Sequence, residues 1–218
     1  MNLQTKPQPH SVTNHFLSTV NENINRMKRD ASQDAIVTSG TIEPALYFIT
    51  ETFREISRSY NNQLDSKFDT AYVYTEPKDL IKITSDRHAK FYKHILNQTV
   101  SSNHYPSRKK FYPVALSFID LAGSRHHQSS FLKMPHVHSL FIIPPKSLDR
   151  FKLLVADNFR ISDVYAKTRD VKTIHCERVE VDAARIDKII SYSSKFYRSN
   201  YAKILPEEIR STIFSMHG

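Results

Sequence analysis

The segment with the strongest structural signal is Lys133-Met134-Pro135-His136-Val137-His138-Ser139-Leu140-Phe141-Ile142-Ile143-Pro144-Pro145. Its bulky apolar run and the two prolines that stop it predict a buried strand. Because side chains alternate between the faces of a strand, His136 and His138 share one face and Val137 points into the opposite layer. Two imidazoles about 7 Å apart along a strand can bind one metal ion. Two hydrogen-bonded histidines in an ordinary strand fit this pattern equally well.

The composition describes a folded and strongly basic chain. Its 218 residues are 39% hydrophobic and 24% charged, which is enough apolar material for a packed core. The net charge of +9 favours a polyanionic partner, with nucleic acid first and an anionic membrane surface second. A basic but otherwise ordinary cytoplasmic protein is compatible with the same charge.

Several classes of protein are excluded by residue types that the chain lacks. The single cysteine, Cys176, allows neither a disulfide framework nor a cysteine-based zinc site within one chain. No apolar run approaches the roughly 18 residues of a transmembrane helix, and Met1–Ser11 lacks the apolar region of a secretory signal, so we expect a cytoplasmic protein without a membrane partner. Only three glycines occur, and neither GxxxxGK[ST] nor GxGxxG is present, so no nucleotide cofactor is expected.

The N-terminal half is predicted to be mainly helical. Residues 1–10 predict a flexible tail, and residues 11–99 predict a helical extension whose expected role is packing against the later sheet. The clearest amphipathic pattern covers Ile42–Leu64, where apolar residues recur at spacings of three and four. A further helix is expected to begin at a cap formed by Ser85 or Asp86. Apolar residues at helical spacing also mark a first helix: Phe16, Val20, Ile24 and Met27.

The C-terminal half, residues 100–218, alternates strands and helices. Phe111–Leu121 predicts a strand that pairs with the His136–His138 strand as an antiparallel hairpin. The remaining predicted elements are a helix after Pro145, a strand over Val171–Val181, a helix capped by Asp182 and helical turns over Leu205–Phe214. This order predicts an α+β fold in which helices pack on an antiparallel sheet.

The last predicted helix carries a tyrosine and a lysine one turn apart, Tyr192 and Lys195. Tyr192 lies three residues after Ile189 and four before Phe196, which places it at the margin of the buried stripe. A tyrosine can act as a covalent nucleophile, and a neighbouring ammonium can neutralise a phosphate. Taken alone, the pair fits a tyrosine at the edge of the core beside a lysine just as well.

The order and spacing of these motifs resemble the HUH endonuclease superfamily, in which U is a bulky hydrophobic residue, and above all its rolling-circle replication-initiator (Rep) branch. Pro135-His136-Val137-His138-Ser139-Leu140 looks like the HUH motif, and Tyr192-Ser193-Ser194-Lys195 looks like the nucleophile motif. Ala115-Leu116-Ser117-Phe118-Ile119-Asp120 looks like the less specific first-strand motif of Rep proteins. The resemblance covers roughly residues 111–201. It implies a ferredoxin-like, HUH nuclease domain within residues 100–218.

The resemblance implies a metal-dependent endonuclease and strand transferase for rolling-circle replication, transposition or mobilisation of a mobile element. His136 and His138 would hold one Mg²⁺ or Mn²⁺ ion. Tyr192 would attack the scissile phosphate, giving a 5′-phosphotyrosyl link, and Lys195 would orient the phosphate or ease ionisation of the phenol. The expected partner is single-stranded DNA or an origin hairpin, with a host helicase or polymerase as a further candidate.

Two details of the implied site stay open or depart from the family pattern. The third metal ligand is one of four candidates: His127, Gln128, Asp120 and Glu177. Some relatives carry a second tyrosine four residues after the first, but that position is Phe196 here. Tyr197 and Tyr201 lie further along and turn away from Tyr192, so the resemblance implies a single-tyrosine enzyme.

Other functions fit parts of the sequence. A non-catalytic, basic nucleic-acid-binding protein with a degenerate metal site would bind DNA in a salt-dependent manner and form no covalent adduct. A double-stranded β-helix oxygenase or isomerase also uses an HxH pair, but it expects many short strands with turn glycines. A histidine-pair phosphoesterase expects a second HxS or HxT motif, and no convincing partner motif is present.

Overall fold

The computed structural model of the chain describes residues 9–33, 43–53, 77–100, 111–121, 135–160, 171–199, 202–203, 205, 207–208 and 214–217. Within these residues lie four α-helices and five β-strands. The helices are α1 (Pro9–Gln33), α2 (Pro77–Thr99), α3 (Pro145–Ala156) and α4 (Ala183–Ser193). The strands are β1 (Ala45–Phe53), β2 (Val114–Asp120), β3 (His136–Ile143), β4 (Val171–Val179) and β5 (Phe214–His217).

The strands form one sheet in the order β4-β1-β3-β2-β5, and every neighbouring pair is antiparallel. Helices α1 and α4 cover one face of the sheet, and helices α2 and α3 cover the other. The predicted α+β class, with helices packed on an antiparallel sheet, is confirmed. In the described part of the chain this open sheet does not have the two facing sheets of a double-stranded β-helix.

The first hydrophobic core lies between the sheet and helices α1 and α4. It contains the four apolar residues of α1 that the sequence spacing identified, so the predicted first helix is confirmed. Helix α4 contributes three isoleucines and the sheet contributes residues from β1, β2 and β3. The main members are Phe16, Val20, Ile24, Met27, Leu46, Leu116, Phe118, Leu140, Ile186, Ile189 and Ile190.

The second core lies on the opposite face, under α2 and α3. Its main members are Tyr47, Phe91, Tyr92, Ile95, Phe141, Ile143, Leu148, Phe151 and Leu154. Fully burying an aromatic side chain such as Phe151 stabilises the fold by about 1.5–3 kcal/mol. The sheet is therefore covered by helices on both faces.

The helix predicted over Ile42–Leu64 is wrong in its described part, because Ala45–Phe53 forms strand β1 between β3 and β4. Residues 42 and 54–64 lie outside the described residues. Leu46 and Ile49 are three residues apart, as on one side of a helix. In the strand they face opposite layers, and both are fully buried. A strand with two apolar faces lacks strict alternation, so its spacing can imitate that of an amphipathic helix.

Strand β1 also changes the predicted division of the chain. Part of the expected helical extension, residues 11–99, is hydrogen-bonded inside the sheet that the C-terminal half completes. Helix α2 begins at Pro77, so Ser85 and Asp86 lie within the helix and do not cap it. Proline is common at the first position of a helix, where its missing N–H costs no hydrogen bond. Asp79 in the first turn interacts favourably with the helix dipole. Residues 1–8 of the expected tail lie outside the described residues.

The C-terminal elements match the predictions in part. The strands over β2 and β4 and the helix after Pro145 are confirmed. Asp182 caps α4 as predicted, since its carboxylate accepts a hydrogen bond from the Arg185 backbone N–H at 2.8 Å. Phe214 was predicted to end a run of helical turns, but it begins strand β5, which pairs with β2.

The cap of α4 generates a stability prediction. Replacing Asp182 by Ala removes the acceptor for the Arg185 N–H and is expected to lower the free energy of unfolding by about 1 kcal/mol. Urea denaturation measures this change. Asp187→Ala removes another exposed carboxylate from the body of the same helix and serves as the control. Equal losses in both variants would contradict the capping role.

Candidate active site

The register of β2 against β3 brings an aspartate to the two histidines. Asp120 lies directly opposite His136, and Phe118 lies opposite His138. Asp120 and the two histidines therefore project from one face of the sheet. The His136 Nε2 and His138 Nε2 atoms lie 3.3 Å and 3.6 Å from Asp120 Oδ2. One ligand atom from each residue fits within 4.8 Å of the others, so this cluster could hold a metal ion.

The structure distinguishes among the four candidates for a third ligand. Asp120 is fully buried beside both histidines. Glu177 lies on β4, is exposed, and forms an ion pair with Arg185 at 2.8 Å. His127 and Gln128 lie outside the described residues. Among the candidates that the structure describes, Asp120 is therefore the one that joins the histidine pair.

His138 is oriented by a residue of β1. Thr50 pairs with His138 across the two strands, and its Oγ1 lies 3.0 Å from His138 Nδ1. When Nδ1 donates its proton to the Thr50 hydroxyl, Nε2 turns its lone pair toward Asp120 and His136. This Nε2 is buried and has no hydrogen-bond partner within the described residues. A buried nitrogen of this kind, beside a carboxylate and a second imidazole, fits a metal ligand.

The environment of His138 favours its neutral form. Burial lowers the pKa of the imidazole, and the nearby Asp120 carboxylate opposes this effect only in part. His136 and Lys195 lower the pKa of His138 further. The neutral imidazole is the form that coordinates metals, so the ligand is available at neutral pH.

The chain around the end of α4 brings Tyr192 and Lys195 to the same cluster. The Tyr192 and His138 ring centroids are 5.1 Å apart in an edge-on arrangement, and Tyr192 is 38% exposed. The Lys195 Nζ atom lies 2.7 Å from Asp120 Oδ2 and 4.2 Å from the Tyr192 ring centroid. The four site residues predicted from the sequence therefore form one cluster with Asp120.

Tyr192 lies in the last turn of α4, whereas Lys195 lies in a turn that follows the helix. Helix α4 ends at Ser193, and the Lys195 N–H donates to the Tyr192 carbonyl at 3.3 Å. Arg198 braces this turn by donating to the Ser191 carbonyl. Lys195 lies in this turn, and its ammonium contacts the Asp120 carboxylate.

The other tyrosines and Phe196 occupy different surroundings. Phe196 is fully buried in a third apolar cluster with Ile119 and Val137, on the opposite side of the sheet from the histidines. The ring of Tyr197 lies 6.3 Å from that of Phe16. Tyr201 lies outside the described residues. Within the described residues, Tyr192 is the tyrosine whose ring contacts a histidine of the cluster.

Sequence reasoning missed two contributors to the site. Thr50 was missed because its segment was interpreted as a helix, whereas alternation of Phe48, Thr50 and Thr52 along a strand would have placed it on the histidine face. Arg198 lies outside the motifs, and the sequence offers no signal for its contact with the turn.

Comparison with known proteins gives no match to a protein-family model, a curated protein or a solved structure. Among the described helices, none combines the length and apolar character needed to cross a bilayer. The function is therefore inferred from the sequence motifs, the net charge and the geometry of the cluster.

The contact between Lys195 and Asp120 generates a prediction about metal affinity. A divalent ion held by Asp120 must share this carboxylate with the Lys195 ammonium. Lys195→Met removes the competing charge, and we expect Mn²⁺ to bind about tenfold more tightly, after allowance for solvent screening. Isothermal titration calorimetry measures the dissociation constant.

Lys188→Met is the matched control, because it removes the same charge from an exposed position of α4. Its Mn²⁺ affinity should equal that of the wild type. Weaker binding by Lys195→Met than by Lys188→Met would contradict the shared carboxylate.

Proposed function

We propose that this protein is an HUH-type, metal-dependent endonuclease and strand transferase that acts on single-stranded DNA. The observation that supports this best is the single cluster in which a tyrosine, a lysine and three potential metal ligands meet. In this proposal the nicked strand primes rolling-circle replication, or is transferred during transposition or mobilisation of a mobile element. The basic net charge of +9 agrees with a nucleic-acid substrate.

Asp120, His136 and His138 are the residues that would hold the ion. A divalent ion bound there would supply Lewis-acid polarisation of the scissile phosphate. One carboxylate and two imidazoles suit Mn²⁺ better than Mg²⁺, because Mg²⁺ prefers an all-oxygen shell. His136 is 24% exposed, so the cluster opens to solvent at the start of β3, where a phosphate can reach it.

Tyr192 is the proposed nucleophile. Its phenol oxygen attacks phosphorus and releases its proton, while the bond from phosphorus to the 3′ oxygen breaks and that oxygen takes up a proton. The products are a 5′-phosphotyrosyl link and a free 3′-OH, and attack by another 3′-OH reverses the step and joins strands. Because each step exchanges one phosphoester for another, no nucleotide cofactor is required.

Lys195 is the proposed phosphate-positioning residue. Its ammonium already lies between the Tyr192 ring and the Asp120 carboxylate. From this position it favours negative charge on the phenol oxygen during attack and on the phosphate oxygens in the transition state. Asp120 keeps the ammonium in place until a phosphate offers it a second anionic partner.

The sheet offers a path by which the strand can reach the cluster. Thr52 of β1 lies opposite His136 on one side and opposite Thr173 of β4 on the other. Thr50 lies in the same way between His138 and His175. Thr173 and His175 are exposed at the sheet edge on the face of the histidines. Hydroxyl and imidazole groups there can contact phosphate and sugar without reading the base sequence.

A second candidate function is a non-catalytic, basic nucleic-acid-binding protein with a degenerate metal site. The observation that favours it is the Lys195 ammonium, which already neutralises the buried Asp120 carboxylate without a metal. Such a protein would bind single-stranded DNA with a strong dependence on salt and would form no covalent product.

A covalent-adduct assay separates the two functions. The protein is incubated with Mn²⁺ and a pool of random single-stranded oligonucleotides, and adducts are counted on a denaturing gel. We expect an adduct in the wild type and a loss of at least about a thousandfold in Tyr192→Phe, because the nucleophile is removed.

Tyr197→Phe is the matched control and should retain the adduct, because the Tyr197 ring packs against Phe16. An adduct that survives Tyr192→Phe would contradict the assigned nucleophile. Salt-dependent binding of the pool without any adduct would favour the second candidate.

A further inference from the structure

A second polar cluster lies on the opposite face of the sheet, buried under α2. The His88 Nδ1 atom lies 2.9 Å and 3.1 Å from the two carboxylate oxygens of Glu51, and His88 Nε2 lies 2.7 Å from Ser117 Oγ. The Ser139 hydroxyl donates to Ser117 Oγ at 2.9 Å. All four residues are at most 2% exposed. We name this set the reverse-face network.

One assignment of protons satisfies the whole network. Ser139 donates to Ser117, Ser117 donates to His88 Nε2, and the His88 Nδ1–H donates to the Glu51 carboxylate. Burial raises the pKa of Glu51, and the neighbouring His88 opposes this increase. A buried chain of this kind is stabilising only when every member is paired, so each residue depends on the others.

The order of carboxylate, imidazole and hydroxyl is that of a hydrolase triad. Complete burial argues against a second catalytic site, because a substrate would have to displace α2 to reach the Ser117 hydroxyl. The network therefore requires a role that it can perform from inside the core.

The position of the network relative to the potential metal ligands Asp120, His136 and His138 suggests that role. It joins one residue from each of the three central strands: Glu51 from β1, Ser117 from β2 and Ser139 from β3. Glu51 directly follows Thr50, which orients His138, and Ser139 directly follows His138. Ser117 lies opposite Ser139 and three residues before Asp120 on the same strand.

Strand geometry couples the two faces. Because successive side chains project from opposite faces of a strand, a shift of Ser139 or Glu51 moves the backbone that carries His138 or Thr50. A metal site needs its ligands held to within about 0.5 Å, so small changes in strand spacing are felt as changes in affinity.

We infer that the reverse-face network is a positioning device: it fixes the spacing of β1, β3 and β2 from beneath and so sets the geometry of Asp120, His136 and His138. This inference rests on the metal site of the proposed function. His88 is its central residue, since it links α2 to the carboxylate on β1 and the hydroxyl on β2. None of the four residues touches the ion or the substrate in this role.

Mn²⁺ affinity is the readout that separates positioning from simple stabilisation. Titration calorimetry at 10 °C should show at least about tenfold weaker Mn²⁺ binding in His88→Leu, as for other residues that support metal ligands. Tyr92→Phe is the matched control, because it removes a buried hydrogen bond of the same helix to the Pro113 carbonyl, away from the metal cluster. Its melting temperature should fall while its Mn²⁺ affinity is unchanged.

Two milder substitutions keep the test decisive if His88→Leu does not fold. Ser117→Ala leaves the pair of Glu51 and His88 intact, and we expect about threefold weaker Mn²⁺ binding from this partial loss of support. Glu51→Gln can still accept a hydrogen bond from His88 Nδ1, so it should retain wild-type affinity, whereas Glu51→Leu should not.

The first three of the following outcomes would overturn the inference, and the fourth would contradict only the nuclease proposal. Variants of His88 and Ser117 that lose stability but bind Mn²⁺ as the wild type does would make the network purely structural. Labelling of Ser117 by a fluorophosphonate probe would show an accessible nucleophile in place of a buried support. Wild-type protein that forms the DNA adduct while these variants keep full Mn²⁺ affinity would leave the nuclease proposal standing without the network. Weakened Mn²⁺ binding in the variants without any DNA adduct would support the network and contradict the nuclease.

Discussion

The pairing of Asp120 with His136 across β2 and β3 is the constraint on which the candidate site depends. Strand side chains alternate, so a slip of one residue would send Asp120 into the layer beneath α2 and leave the histidines without a carboxylate. The apolar residues of both strands oppose such a slip, because Phe118 and Leu140 belong to one core and Ala115 and Phe141 to the other. The packing that forms the sheet therefore also sets the relative positions of Asp120, His136 and His138.

The full burial of Asp120 explains why the two halves of the site belong together. An isolated carboxylate is costly to bury, so the fold must supply a positive partner. Lys195 supplies it, and its stem brings the turn after α4, and with it Tyr192, over the histidines. Tyr192, Lys195 and the two histidines are thus linked through one carboxylate, which joins the strand motif to the helix motif.

The sequence allowed the fold class and most of the site to be predicted, for identifiable physical reasons. The strand of His136 and His138, the cap at Asp182 and the stripe of α1 depend on local spacing and local hydrogen bonds. The choice of Asp120 depends on register between strands that are distant along the chain, and local patterns do not encode register. Strand β1 was misassigned because apolar residues occupy both of its faces near its start, and this error hid Thr50 and Glu51, which lie on opposite faces of the sheet.

A paramagnetic ion can show whether Tyr192 and the three potential metal ligands form a single site. Tyr192 is replaced by 3-fluorotyrosine, and its ¹⁹F resonance is followed during titration with Mn²⁺. If they form a single site, bound Mn²⁺ will broaden this resonance beyond detection, because the ring of Tyr192 lies against His138. His138→Ala is expected to restore the resonance at the same Mn²⁺ concentration. A resonance that stays sharp while calorimetry shows the protein saturated with Mn²⁺ would place the ion elsewhere and contradict the account.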